Sequence, residues 1–127
     1  VLITKPITNL KIKGTFHLDC GYYYFRNIDN RILLGGGRNL DFIGETTTEM
    51  TTTAKIQNDL ESLLHNVILP NIKVDIGQRW VGIMGVGQQK LPLIRQYSGC
   101  VFVGVRMGGM GVALGAGVAK KMVELIP

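Results

Sequence analysis

Ten of the seventeen glycines in this 127-residue chain lie between Gly82 and Gly117. A stretch so poor in Cβ atoms folds by bringing its backbone close to something else. At its centre, Cys100-Val101-Phe102-Val103-Gly104-Val105 is continuously apolar, as a strand buried on both faces is. Arg106-Met107-Gly108-Gly109-Met110 then leads into Gly111-Val112-Ala113-Leu114-Gly115-Ala116-Gly117. The pattern predicts strand, glycine-rich turn and helix. A dinucleotide fingerprint built on Gly109 and Gly111 needs Gly or Ala at 114, where Leu stands, and no Gly-Lys-Ser/Thr follows for a phosphate loop. Two uses stay open for the glycines: a slim helix packed hard against a sheet, or a helix start whose amides meet an anion or a polar ring. Arg106, a fixed charge just before the turn, favours the second.

Upstream, Thr15-Phe16-His17-Leu18-Asp19-Cys20 alternates as a half-buried strand does. Tyr22 to Ile28 and Arg31 to Leu34 flank Asp29-Asn30, which predicts a hairpin with a two-residue loop, ended or bent by Gly35-Gly36-Gly37. Thr46-Thr47-Thr48-Glu49 fits a capping box and predicts a helix start. Ile56, Leu60, Leu63, Leu64, Val67 and Ile68 follow at helical spacing until Pro70-Asn71. Ile72, Val74 and Ile76 alternate with Lys73 and Asp75, a strand expected to run on towards Trp80 and Met84, and residues 85–98 are expected to be loop around Pro92. Strands, hairpin and two helices in this order predict an α+β fold with a mixed, largely antiparallel sheet.

Charge divides the chain into three blocks. Residues 1–38 carry six cations and two acids, 39–66 one cation and five acids, and 67–127 seven cations and two acids. The acidic block coincides with the expected helix, so its charge reads as a solvated face. The cations are scattered singly rather than in a stripe, and Tyr22 to Phe25 are adjacent rather than alternating, which argues against a nucleic-acid platform. With 46% hydrophobic and 18% charged residues the chain is not of disordered composition. Cys20, Cys100, His17 and His65 are too few for a zinc or disulfide framework. No apolar run reaches the ~20 residues of a membrane span, and no signal-peptide pattern opens the chain, so a cytoplasmic setting is expected. No nucleophile–base pair and no suitable acid pair are visible; if this chain does chemistry, another group supplies the reactive atoms.

Several motifs are familiar in their order. Tyr22-Tyr23-Tyr24-Phe25-Arg26, Arg31-Ile32-Leu33-Leu34-Gly35-Gly36-Gly37-Arg38-Asn39-Leu40-Asp41, Trp80-Val81-Gly82-Ile83-Met84-Gly85 with Leu91-Pro92-Leu93-Ile94, and the final glycine helix occur in sequence. Together they resemble the C-terminal part of the D-amino-acid-oxidase-like (glycine and sarcosine oxidase-like) FAD-dependent oxidoreductases, over nearly the whole chain. The resemblance implies a piece of a longer enzyme, in keeping with a chain that opens on Val. Residues 1–98 would be a portion of the substrate domain, and 99–127 the last strand and helix of the FAD-binding domain. FAD would be bound by the longer protein, through an N-terminal part whose dinucleotide motif has no counterpart here, and not by these residues alone.

The resemblance also implies site residues. Met107, Gly108, Gly109, Met110 and Gly111 would face the flavin ring, Arg106 would hold a substrate carboxylate, and Met84 with one of Tyr22, Tyr23 and Tyr24, Tyr24 being favoured, would line the substrate pocket. Met84 occupies the place of a second carboxylate-binding arginine, and Gln89 that of an aspartate. The chemistry implied is oxidation of a small amine, amino acid or hydroxy acid by hydride transfer to FAD, with oxygen or another acceptor reoxidising it. No residue is expected to act as a catalytic acid or base, and neither metal nor nucleic acid is expected as a partner. The alternative is a non-enzymatic small-molecule or protein-interaction module whose glycine helix is purely structural.

Overall fold

Tyr23 and Phe25 face one side of their strand and Tyr24 the other, and this alternation organises the larger sheet. In the computed structural model, which describes residues 1–126, the strands of the first part are β1 (Leu2–Thr4), β2 (Thr15–Leu18), β3 (Tyr23–Ile28), β4 (Arg31–Gly36) and β5 (Ile76–Arg79). They lie in the order β2-β3-β4-β1-β5, and every neighbouring pair is antiparallel. The expected hairpin is present. Ile28 pairs with Arg31 across a two-residue loop in which Asp29 takes φ +51°, the backbone hand such loops require.

Gly36 is needed where β4 ends. Its φ is +123°, and a Cβ there would run into the Tyr22 carbonyl, which instead accepts the Gly37 N–H at 3.0 Å.

Helix α1 (Ala54–Leu63) continues as a π-helical turn over Leu64–Ile68, and Leu69 N–H closes it on the Leu64 carbonyl at 2.8 Å. Ile56, Leu60, Leu64 and Ile68 are all buried. A strict four-residue repeat drifts around a 3.6-residue helix, and the wider turn offsets that drift so that Ile68 still meets the sheet. Opposite them are Leu2, Ile32 and Leu34, fully buried, with Tyr23 and Phe25. Each such aliphatic side chain contributes about 1.5–3 kcal/mol by leaving water. Arg79 at the end of β5 ties the helix down, donating from Nη1 to Gln57 Oε1 at 2.8 Å and from Nη2 to Glu61 Oε1 at 2.7 Å.

The second part contains β6 (Leu93–Ser98), β7 (Val101–Val105) and α2 (Gly111–Val123). β6 and β7 form an antiparallel hairpin. Val1–Gly82 and the residues from Ile83 onward are separate compact units. The position 98/99, at which the sequence divides between two expected domain portions, falls in the turn between β6 and β7. The whole is α+β, antiparallel throughout, with two principal helices.

Several local expectations need correction. The helix starts at Ala54, not in the threonine run, and no side chain caps it. The threonines serve the preceding loop instead: Thr46 Oγ1 donates to the Phe42 carbonyl at 2.6 Å, and Thr53 Oγ1 to Glu45 at 2.9 Å. β2 stops at Leu18 because Asp19 and Cys20 turn left-handed. Only Ile76–Arg79 of the strand expected over 72–84 pairs, where β1 offers it an edge. Leu93–Ser98 is strand rather than loop, because β7 pairs with it. β7 has β6 as its one strand neighbour among the described residues, and Val101 and Val105 stay 48% exposed, so it is not a strand covered on both faces.

Candidate functional site

β7 delivers the chain into its most unusual backbone. Arg106 takes φ +63°, Gly108 +56° and Gly109 +85°. For arginine this left-handed state costs about 1–3 kcal/mol and is kept only where its surroundings hold it. Met110 N–H closes the turn on the Met107 carbonyl at 2.9 Å, and positive φ at both central residues makes it a type I′ turn, which Gly108-Gly109 suits. Gly108 N–H donates to the Gly85 carbonyl at 3.1 Å, pinning the turn to the segment before β6.

That segment surrounds Arg106. Gly85 lies so close that a Cβ on it would stand 3.3 Å from Arg106 Cα. The guanidinium donates from Nε and Nη2 to the Leu91 carbonyl at 3.3 and 3.2 Å. A Cβ on Gly109 would meet Met84 Sδ at 3.0 Å. Met84, Arg106, Gly108 and Gly109 are thus neighbours, with Met107 beside Gly111 on the far side of the turn.

The turn opens directly into α2, whose start has no side-chain cap. The amides of Gly108 and Met110 are engaged by Gly85 and Met107, whereas those of Gly109, Gly111, Val112 and Ala113 have no acceptor among the described residues. Free N–H groups at a helix start carry partial positive charge. From residue 83 onward the sequence holds five cations, Lys90, Arg95, Arg106, Lys120 and Lys121, against the one acid Glu124. This unit therefore presents unused donors and a net positive field, which suit an anionic or electron-accepting group.

Tyr24 stands on the other unit, on the sheet face turned away from α1. It is half-buried, its ring lies across Gly35, and burial raises the pKa of its phenol. Its neighbours are committed elsewhere. Tyr23 is in the core and donates to Asp59 at 2.7 Å, and Tyr22 packs edge-on against Phe42 under Arg38. Among the described residues no group of His, Cys, Asp and Glu could hold a metal, both cysteines are free, and no helix is long and apolar enough to cross a membrane. The contacts of Gly85, Gly87 and Leu91 with Arg106 were not foreseen from sequence. The glycine density of residues 82–87 was the signal for them.

Comparison with curated proteins and with solved structures gives no significant match to either. A family model described as DAO, FAD dependent oxidoreductase, matches residues 1–125, and the chain therefore belongs to that family.

Proposed function

We propose that this chain contributes the substrate-side sheet and a flavin-facing strand, turn and helix to an enzyme that oxidises a small amine, amino acid or hydroxy acid by hydride transfer to FAD. One observation carries the reading: a turn left-handed at Arg106, Gly108 and Gly109 sets an arginine with no acidic partner among the described residues beside a helix start with unused amides. The residues fit a flavin ring. A Cβ on Gly108 would meet nothing within 4 Å among the described residues beyond its own chain neighbours, so that side of the turn is open. Met107 to Gly111 would hold the ring edge, with Gly109 and Gly111 as the donors left free. FAD, when bound, supplies the hydride acceptor.

These amides would stabilise the negative charge that reduction places on the ring, because they are already oriented and need no reorganisation. Arg106 would hold a substrate carboxylate by charge-assisted hydrogen bonds, and Met84, beside the same turn, would line the space for the rest of the substrate. The ADP half of FAD would be held by residues outside this stretch, in an FAD-binding part of the same protein.

The test is anaerobic mixing of the flavoprotein containing this chain with small amines, amino acids and hydroxy acids. Loss of oxidised-flavin absorbance with one of them is expected. Arg106→Ala should raise KM for a carboxylate substrate by about 10- to 100-fold, the worth of a hydrogen bond to a charged group, with kcat changed far less. A purified protein that takes up no flavin would overturn the reading.

A further inference from the structure

The side chain of Arg106 is held on two sides, and together they decide which of its donors remain available. On one side the Leu91 carbonyl occupies both Nε and Nη2, at 3.3 and 3.2 Å, which is one of the two edges through which a guanidinium grips a carboxylate. On the other side lies Gly87. A Cβ there would stand 2.7 Å from Arg106 Cδ, 2.9 Å from Nη1 and 3.1 Å from Nε. Real Cβ atoms do not approach so closely, so any side chain at 87 would push the arginine off the Leu91 carbonyl or cover Nη1. Leu91 precedes Pro92, which restricts the backbone of residue 91 and with it the direction of its carbonyl. Gly108 N–H on the Gly85 carbonyl at 3.1 Å fixes the start of the same segment.

We infer that Gly87 and the Leu91 carbonyl form a seat for Arg106 that leaves its terminal Nη1–Nη2 edge as the one offered to a planar oxyanion, so that Gly87 is a positioning residue for carboxylate binding. The inference deepens the function proposed above and rests on Arg106 being the carboxylate site. Its chemistry is specific. Two parallel N–H donors at the end of the side chain accept a two-oxygen planar group in the guanidinium plane. They are the Nη2 hydrogen not given to Leu91 and the one Nη1 hydrogen parallel to it.

The experiment uses the flavin-loaded protein with acetate as the carboxylate probe, titrated calorimetrically. Gly87→Ala should raise the acetate Kd by about tenfold, the effect of losing one well-placed charged contact. Arg106→Ala should raise it at least as much, and the double variant no further than Arg106→Ala alone, because both substitutions act through one group. A crystal structure of the unsubstituted protein with acetate provides a readout that needs no variant to fold. The oxygens should lie on Nη1 and Nη2 with the Leu91 contact kept.

Acetate on the Nε edge with the Leu91 carbonyl displaced would overturn the seat. So would an unchanged Kd in Gly87→Ala beside a weakened one in Arg106→Ala, a result that leaves the carboxylate role of Arg106 standing. An unchanged Kd in Arg106→Ala would overturn that role, and the role of Gly87 with it.

Discussion

Tyr23 and Tyr24 are adjacent, and strand alternation gives them unlike surroundings. Tyr23 lies 9% exposed in the core and donates to Asp59 on α1 at 2.7 Å. Burial, then that hydrogen bond and the carboxylate charges of Asp59 and Asp19, push its phenol up to about 12. The folded state thus favours the neutral phenol. The contribution to stability is complete below the unfolded value of about 10 and is lost as pH rises towards 12. Tyr23→Phe should cost about 1 kcal/mol near pH 8, and this deficit should shrink across that window. Urea midpoints of the two proteins at about pH 8 and about pH 12 check it, and an equal gap at both ends would refute the account. Alternation alone separates Tyr24 from Tyr23 in the sequence. The Asp59 partner, 36 residues away, is not legible there, because a hydrogen bond between β3 and α1 leaves no local pattern. The same holds for Arg106. Its charge marks it in the sequence, but its hold on the Leu91 carbonyl depends on a backbone turn that residue identities do not encode.

The elements follow what the sequence says wherever periodicity had room to express itself. Six residues of β3 against six of β4, and the stripe Ile56-Leu60-Leu64-Ile68, carry enough repeats to be read. β1, an interior strand of the larger sheet, has three residues and one alternation, Leu2 and Thr4 inward and Ile3 between them. Its place is set by partners on both sides, β4 and β5, and a signal that short does not reveal them. The threonine run misleads because a hydroxyl satisfies a loop carbonyl as readily as a helix amide. The slim helix packed through its small residues is not what forms: a Cβ on Gly115 or Gly117 would meet nothing within 4 Å, and the close approach lies instead at Gly104 on β7, where a Cβ would collide with Met122 Sδ and stand 2.6 Å from Val118 Cγ1. Gly104→Ala should therefore lift α2 from β7 and cost about 1–3 kcal/mol, the usual range for overpacking. Because α2 carries the free amides, the same variant should also weaken flavin retention. A variant with unchanged Tm and unchanged flavin content would show that α2 tolerates the methyl group.

The two units differ in what holds them together. Residues 1–82 contain the cluster of Leu2, Ile32, Leu34, Leu60 and Leu64, all fully buried, closed on one face by α1 and tied by Arg79 to Gln57 and Glu61. From residue 83 onward Val118 is the one buried hydrophobic among the described residues, while Val101, Val105, Met110, Val112 and Val123 are each at least 48% exposed. Stability scales with apolar area removed from water, and chains of fewer than about 40–50 residues seldom bury enough without a metal, a disulfide or a partner. Residues 1–82 expressed alone should therefore unfold cooperatively in urea, with sharp amide dispersion. Residues 83–127 alone should be disordered by circular dichroism. A gain of helix in the second fragment on titration with the first would show that its fold is completed by protein contact. A second fragment that is helical and cooperative by itself would mean that β6, β7 and α2 are more tightly packed than their exposure indicates. The division bears on function because Arg106 and the free amides belong to the weakly cored unit. Their geometry would then depend on what covers its exposed apolar side chains. Flavin loading of the enzyme should accordingly protect the amides of residues 101–123 from hydrogen exchange more than those of β3 and β4. Equal protection of both, with and without flavin, would separate the site from the cofactor.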